Sequence, residues 1–182
     1  EDAPELAYRI AELTKEASIP NGVVNVIQGM GQIIGRLIVE HKHIPLISFT
    51  GSTNVGKWIG KTAGERIARV SLELGGKNPF IVCDDADIDY AIDWCILSSF
   101  SNAGQRCAAA SRIILFDNIY DSFINKLILR TNSLKLGVTD DDDLGPVINL
   151  KQYENILKYI KIAKDEGSKI LCGGKGLRES MK

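Results

Sequence analysis

Apolar side chains return at three- and four-residue intervals over residues 3–17, at Leu6, Ile10, Leu13 and Ala17, and this spacing predicts an amphipathic helix. Asp2 and Glu5 have the spacing of an N-terminal cap, with Pro4 in the first turn, where its missing N–H is no loss. A β-branched run bounded by turn residues, "NGVVNVIQG" at 21–29, predicts a strand. The helical period recurs over 31–41, 52–64, 87–100, 118–130 and 150–165. In 87–100 it gathers Ile88, Ala91, Ile92, Cys95 and Ile96 on one face. Short apolar runs at 45–49, 66–74, 79–83, 111–116 and 169–174 predict further strands. Alternating helices and strands predict an α/β fold with mostly parallel sheets. The pattern restarts after Gly75-Gly76, which divides the chain into 1–74 and 75–182.

Composition narrows the function classes. Hydrophobic residues make up 45% and charged residues 25% of the 182, an ordinary globular balance. No apolar run approaches the ~20 residues of a membrane span, and the acidic start "EDAPELAYRI" is unlike a secretory signal. A net charge of −1 with scattered basic residues argues against a nucleic-acid partner. "VTDDDDLGP" (138–146) lacks the alternating ligands of a calcium loop and reads as a solvated loop. The four cysteines form no C-x-x-C pair, so neither a metal nor a redox pair is expected, and free thiols point to the cytoplasm. His41 and His43 read as a helix end entering a turn.

Three stretches carry chemistry. In "FTGSTNVGKW" (49–58), Gly51, Gly56 and Lys57 fit all of a triphosphate loop except its last position, where Trp58 has no oxygen for magnesium. Strand, glycine, helix also suits a dinucleotide pyrophosphate, which needs no such ion, or a plain strand-to-helix turn capped by Ser52. In "NAGQRCAAASR" (102–112), small neighbours leave room beside Cys107, and Arg106 or a helix start there would favour the thiolate. A cysteine among alanines equally suits a small buried hydrophobe, the reading given to Cys83, Cys95 and Cys172. In "SLELGGKNP" (71–79), Glu73 sits between Leu72 and Leu74 on a strand expected to be buried. Burial would raise its pKa and make it a general base, whereas the open face of an edge strand would leave it ordinary.

Together, "FTGST", "LELGGKNP" and "GQRC" resemble the aldehyde dehydrogenase superfamily in order and spacing, over the whole chain. The resemblance implies part of a Rossmann-like cofactor domain followed by part of an α/β catalytic domain. It implies NAD as cofactor, with NADP open, held by Gly31, Phe49, Gly51, Ser52, Val55, Gly56 and Leu74. Glu1 matches an acidic residue that grips ribose hydroxyls and disfavours a 2′-phosphate. Cys107 matches the nucleophile and Glu73 the general base. A small aldehyde would be oxidised to an acid through a cysteine thiohemiacetal and thioester. Glu73 favours hydrolysis over transfer of the acyl group to coenzyme A.

The resemblance also implies a homo-oligomer and a longer protein. The family's oxyanion asparagine and ribose lysine fall before residue 1, and a ribose-binding glutamate and an oligomerisation strand fall after residue 182. An internal fragment that turns over poorly is therefore the expectation. Arg106 beside the nucleophile suggests a semialdehyde with a distant carboxylate. Two other classes fit the residues: a non-catalytic nucleotide-binding or structural module, and a cofactor-free thiol hydrolase using Cys107 and Glu73.

Overall fold

The computed structural model describes residues 1–177. The chain divides into two compact units, Glu1–Gly75 and a second that begins at Gly76. In the first, α1 (Pro4–Glu16) starts with proline at its first turn. Its N-cap position is Ala3, one residue beyond the expected Asp2. Helix α2 (Gly31–Glu40) ends at His41, whose Nδ1 accepts the His43 amide at 3.3 Å. Strand β1 (Leu46–Gly51) and strand β2 (Arg69–Leu74) pair in parallel, with α3 (Thr53–Glu65) between them in the chain. Ser52 caps α3, its Oγ accepting the Val55 amide at 3.4 Å.

The core of this unit follows from the strand period. Ile47, Phe49, Leu72 and Leu74 lie on one face of the sheet. Buried Ile47 packs there with Val39 of α2 and with Ile59 and Ala63 of α3, and Phe49 and Leu72 flank them. The other face carries Ser48, Thr50, Ser71 and Glu73, all exposed.

Two expected strand limits move. Strand β2 begins at Arg69 rather than at 66 because Arg66 caps α3 and Ile67 takes a φ of 59°. The Arg66 guanidinium donates to the Val39 and Ile44 carbonyls at 3.0 and 2.6 Å, tying the helix end to α2. Residues 21–29 form no strand. Val23 and Ile27 are 66% and 64% exposed, and none of the described strands pairs with this stretch. Asn25 and Gln28 instead donate to the Gly22 and Pro4 carbonyls. A β-branched run needs a neighbour to accept its hydrogen bonds, and propensity alone does not supply one.

In the second unit β3 (Asn78–Val82) and β4 (Ala110–Leu115) pair in parallel. Between them run α4 (Ile88–Phe100) and a short 3-10 turn at Ser101–Gly104. Helix α5 (Tyr120–Asn132) follows β4, and α6 (Leu150–Asp165) comes last. The core joins Val82 of β3, Ile92 and Cys95 of α4, Ile119, and Phe123 of α5, with Ile88, Ala91 and Ile96 packed against it. That is the apolar face expected for 87–100. Tyr153, Ile156, Leu157 and Ile160 of α6 line an apolar cavity of about 590 Å³ with Leu136 and Leu144. The acidic loop closes on itself: Asp142 accepts the Thr139 amide and hydroxyl at 2.9 and 2.7 Å, and these bonds pull its pKa below the usual carboxylate value. Residues 169–174 are irregular rather than a strand. Among the described residues no helix is long and apolar enough to cross a membrane, and no His, Cys, Asp and Glu cluster could hold a metal ion.

Candidate active site

The carboxyl ends of β1 and β2 lie side by side. Thr50 pairs with Glu73 and Gly51 with Leu74. The glycine loop and the candidate base, 22 residues apart in the chain, therefore share one sheet end. Carboxyl ends of parallel strands are where ligands of open α/β sheets gather. Glu73 is exposed rather than buried, because the sheet face it stands on carries no helix in this unit.

The loop glycines have distinct physical reasons. A Cβ on Gly51 would run into the Phe49 ring, so glycine lets the chain leave β1 directly over that ring. Gly51, Ser52 and Val55 are exposed at the start of α3. Gly56 is buried, and a Cβ there would overlap the Leu74 side chain. Its spacing in the triphosphate-like loop thus reflects helix-to-strand packing.

Glu1 and Gly31, 30 residues apart, are joined. The Gly31 amide at the start of α2 donates to Glu1 Oε2 at 2.6 Å. Glu1 borders a recess of about 430 Å³ with Pro4, Ala7, Gln28 and Met30, the last of these next to Gly31 in the chain. The residues present fit a dinucleotide in two respects. The Glu1 carboxylate accepts hydrogen bonds, as ribose hydroxyls require, and the α3 start offers an uncovered loop. The same carboxylate repels a phosphate.

The second unit holds the thiol. Cys107 is exposed in a turn between the 3-10 segment and β4, not at a helix start as one sequence reading allowed. Asn102, Ala103 and Gly104 have φ of 54°, 55° and 70°. Left-handed backbone costs a non-glycine residue about 1 kcal/mol or more, so this loop is held by its surroundings. The holding groups are visible. Gln105 donates through Nε2 to the Asn102 carbonyl at 3.2 Å and accepts the Ile148 amide through Oε1 at 3.2 Å. Asn78 Nδ2 donates to the Cys107 and Ala109 carbonyls at 2.6 and 3.2 Å. The Arg112 guanidinium donates to the Lys77 carbonyl. Arg106 Nη1 donates to Ser101 Oγ at 2.8 Å.

Of the three thiols read as small buried hydrophobes, Cys95 fits and Cys83 and Cys172 do not. Cys95 is buried, and desolvation raises its pKa. Cys83 is exposed just past β3, and Cys172 is half-buried in irregular chain. Sequence reasoning passed over Asn78 and Gln105. The signal available was their place inside the two chemistry-bearing motifs, "LELGGKNP" and "GQRC".

Comparison with known proteins agrees with these motifs. The family model described as "Aldehyde dehydrogenase family" matches residues 1–182. D-glyceraldehyde dehydrogenase (NADP(+)) of Picrophilus torridus is 43% identical over 174 residues, covering 96% of this chain and 35% of that protein. Alpha-ketoglutaric semialdehyde dehydrogenase of Bacillus subtilis is 41% identical over 180 residues, covering 96% and 37%. A crystal structure of betaine aldehyde dehydrogenase from Staphylococcus aureus with NAD+ superposes with a TM-score of 0.88 at 41% identity, over 92% of this chain and 34% of that one. The chain spans about a third of the length of these relatives. On the family match along its whole length and the three motifs in order, the chain belongs to the aldehyde dehydrogenase family.

Proposed function

We propose that this chain carries the nucleophile, the general base and part of the dinucleotide site of an enzyme that oxidises an aldehyde to a carboxylic acid. The observation that carries the reading is the parallel pairing of Thr50-Gly51 with Glu73-Leu74, which sets a cofactor loop and a carboxylate at one sheet end. Phe49, Gly51, Ser52, Val55, Gly56 and Leu74 would hold or shape the site for NAD, with Glu1 and Gly31 at the ribose; NADP is the alternative cofactor. Bound there, the nicotinamide supplies the acceptor for a hydride.

The chain's own groups do the rest. The Cys107 sulfur, as thiolate, adds to the aldehyde carbon and forms a C–S bond, leaving an oxyanion. Backbone donors such as the Cys107 amide stabilise that charge. Loss of the carbonyl hydrogen with its electron pair turns the adduct into a thioester. Glu73 then takes a proton from water, whose oxygen attacks the thioester carbon. The C–S bond breaks, and the acid and the free thiol separate. Capture on sulfur divides one difficult oxidation into two easier steps.

In the full-length protein, Cys107→Ser should abolish aldehyde-dependent NADH formation. Glu73→Gln should leave a burst of about one NADH per site and slow the steady state about 10²- to 10⁴-fold, the usual contribution of a general base. A Glu73→Gln enzyme with unchanged turnover would remove the base assignment. Ester cleavage by Cys107 that ignores NAD would favour the cofactor-free hydrolase instead, and inert chemistry at all four thiols would favour the non-catalytic module.

The exposed Arg106 further supports a semialdehyde substrate. Its guanidinium donates to Ser101 and has further N–H donors for a distant carboxylate. Arg106→Ala should raise KM for succinic semialdehyde with little change for an uncharged aldehyde, and equal effects on both would count against the idea. The free thiols suit a reducing compartment such as the cytoplasm. A homo-oligomer is proposed from the family alone.

A further inference from the structure

We propose that Asn78 is the positioning residue of the Cys107 nucleophile, an inference that rests on the function proposed above. Asn78 opens β3, five residues beyond Glu73 in the same motif. Its side-chain nitrogen carries two N–H donors and faces two carbonyls, Cys107 O at 2.6 Å and Ala109 O at 3.2 Å. These carbonyls bracket the peptide units that follow the nucleophile. Holding both fixes ψ of Cys107 and hence the direction in which the chain carries its sulfur into β4.

The surroundings are shaped for this contact. The sheet register shifts at this point: Asn78 pairs with Ala110, and Pro79 pairs with Arg112, passing over Ser111. Ser111, the residue passed over, donates its hydroxyl to the Ala109 carbonyl at 3.4 Å, so that carbonyl is shared with Asn78. Gly76 leaves the space open, since a Cβ there would come within 3.1 Å of Asn78 Oδ1 and 3.5 Å of Cys107 O. Arg112 ties the preceding Lys77 carbonyl to the same strand, so both ends of the Asn78 segment are anchored on the nucleophile side.

The amide is the side chain that suits two carbonyls. A carboxylate of the same shape offers only acceptors and would repel both. A serine hydroxyl has one proton and can serve one of them. Alanine serves neither: the Cys107 carbonyl loses this donor, and the Ala109 carbonyl keeps only the longer bond from the Ser111 hydroxyl at 3.4 Å. Losing a hydrogen bond of this kind corresponds to about a 3- to 10-fold change in an equilibrium between ordered and disordered turn.

The test is iodoacetamide alkylation of the 182-residue chain, followed per cysteine by mass spectrometry, with exposed Cys83 as internal reference and buried Cys95 as monitor of global unfolding. Asn78→Ala and Asn78→Asp should each lower the Cys107-to-Cys83 rate ratio about 3- to 10-fold while Cys95 stays protected. Asn78→Ser should fall between them and the parent. A general loosening would expose Cys95 and leave the ratio near its parent value. An unchanged ratio in Asn78→Ala with Cys95 protected would overturn the proposal. Should that variant not fold, NMR of the parent chain decides. The Asn78 side-chain amide protons should exchange at least about 3-fold slower than those of an unpaired surface asparagine, and free exchange would overturn the proposal too. Failure of the functional reading looks different: Cys107 would then react no faster than Cys83 in the parent chain, whatever Asn78 does to the ratio.

Discussion

A single carboxylate, Glu1, stands at the α2 start, and in the function proposed above it sets the cofactor choice. Glu1 takes the Gly31 amide at 2.6 Å, so the positive end of that helix is already answered by a negative group. An added phosphate at the same place would meet that charge. At ~4 Å, two unit charges in a surface setting repel by about 4 kcal/mol before salt screening, so even a fraction of this favours the unphosphorylated ribose. Glu1→Gln keeps the acceptor and removes the charge. In the full-length protein it should improve the ratio of kcat/KM for NADP over NAD about tenfold, and a ratio that does not move would dismiss Glu1 from cofactor choice. The Picrophilus torridus relative, named for NADP(+), makes the measurement informative in either direction.

Between elements, Gly56 shows how a site motif and a packing motif share residues. Alanine in place of glycine inside α3 would gain about 1 kcal/mol of helix propensity. The new Cβ would overlap Leu74, and overpacking of this kind costs about 1–3 kcal/mol. The clash wins, so Gly56→Ala should lower stability in urea unfolding by on the order of 1 kcal/mol. Pairing it with Leu74→Ala should return part of that loss, since the two sites touch and their effects are then non-additive. A fully additive pair would mean that Leu74 does not occupy this space. Ser52, one turn earlier, acts differently: its hydroxyl accepts the Val55 amide and fixes where α3 starts.

Across the whole chain, both parallel sheets are covered on one face by the described helices. Parallel sheets are normally covered on both. On the β3–β4 sheet the paired Ile81 and Ile114 are 60% and 49% exposed, and on α1 and α2 Leu6 and Leu37 are 67% and 61% exposed. Exposed apolar side chains of this size bind other apolar groups. The 182-residue chain should therefore enhance fluorescence of a hydrophobic dye far more than a compact domain of its mass, and should elute from a sizing column at concentration-dependent volumes. A chain that ignores the dye and stays monomeric would show these faces to be covered in solution. The relatives it matches are about three times as long.

The helices were legible because their signal is local. A residue meets its neighbours three and four places on within the same segment, so Ile88, Ile92 and Cys95 declare a face without help from elsewhere. The three motifs were legible for a similar reason, since each gathers its chemistry in a few consecutive residues. Strands were readable only where a partner exists. The runs at 45–49 and 66–74 found each other, while 21–29, richer in valine than either, found none and stays irregular. Tertiary structure alone decided the non-local matters: that Glu73 stands opposite Thr50 on an open face, that Gly56 makes room for Leu74, and that Asn78 holds the carbonyls beside Cys107. Sequence fixes which groups can donate, accept or attack, because that is covalent chemistry. Which of them meet depends on register and packing between segments that the chain order leaves far apart.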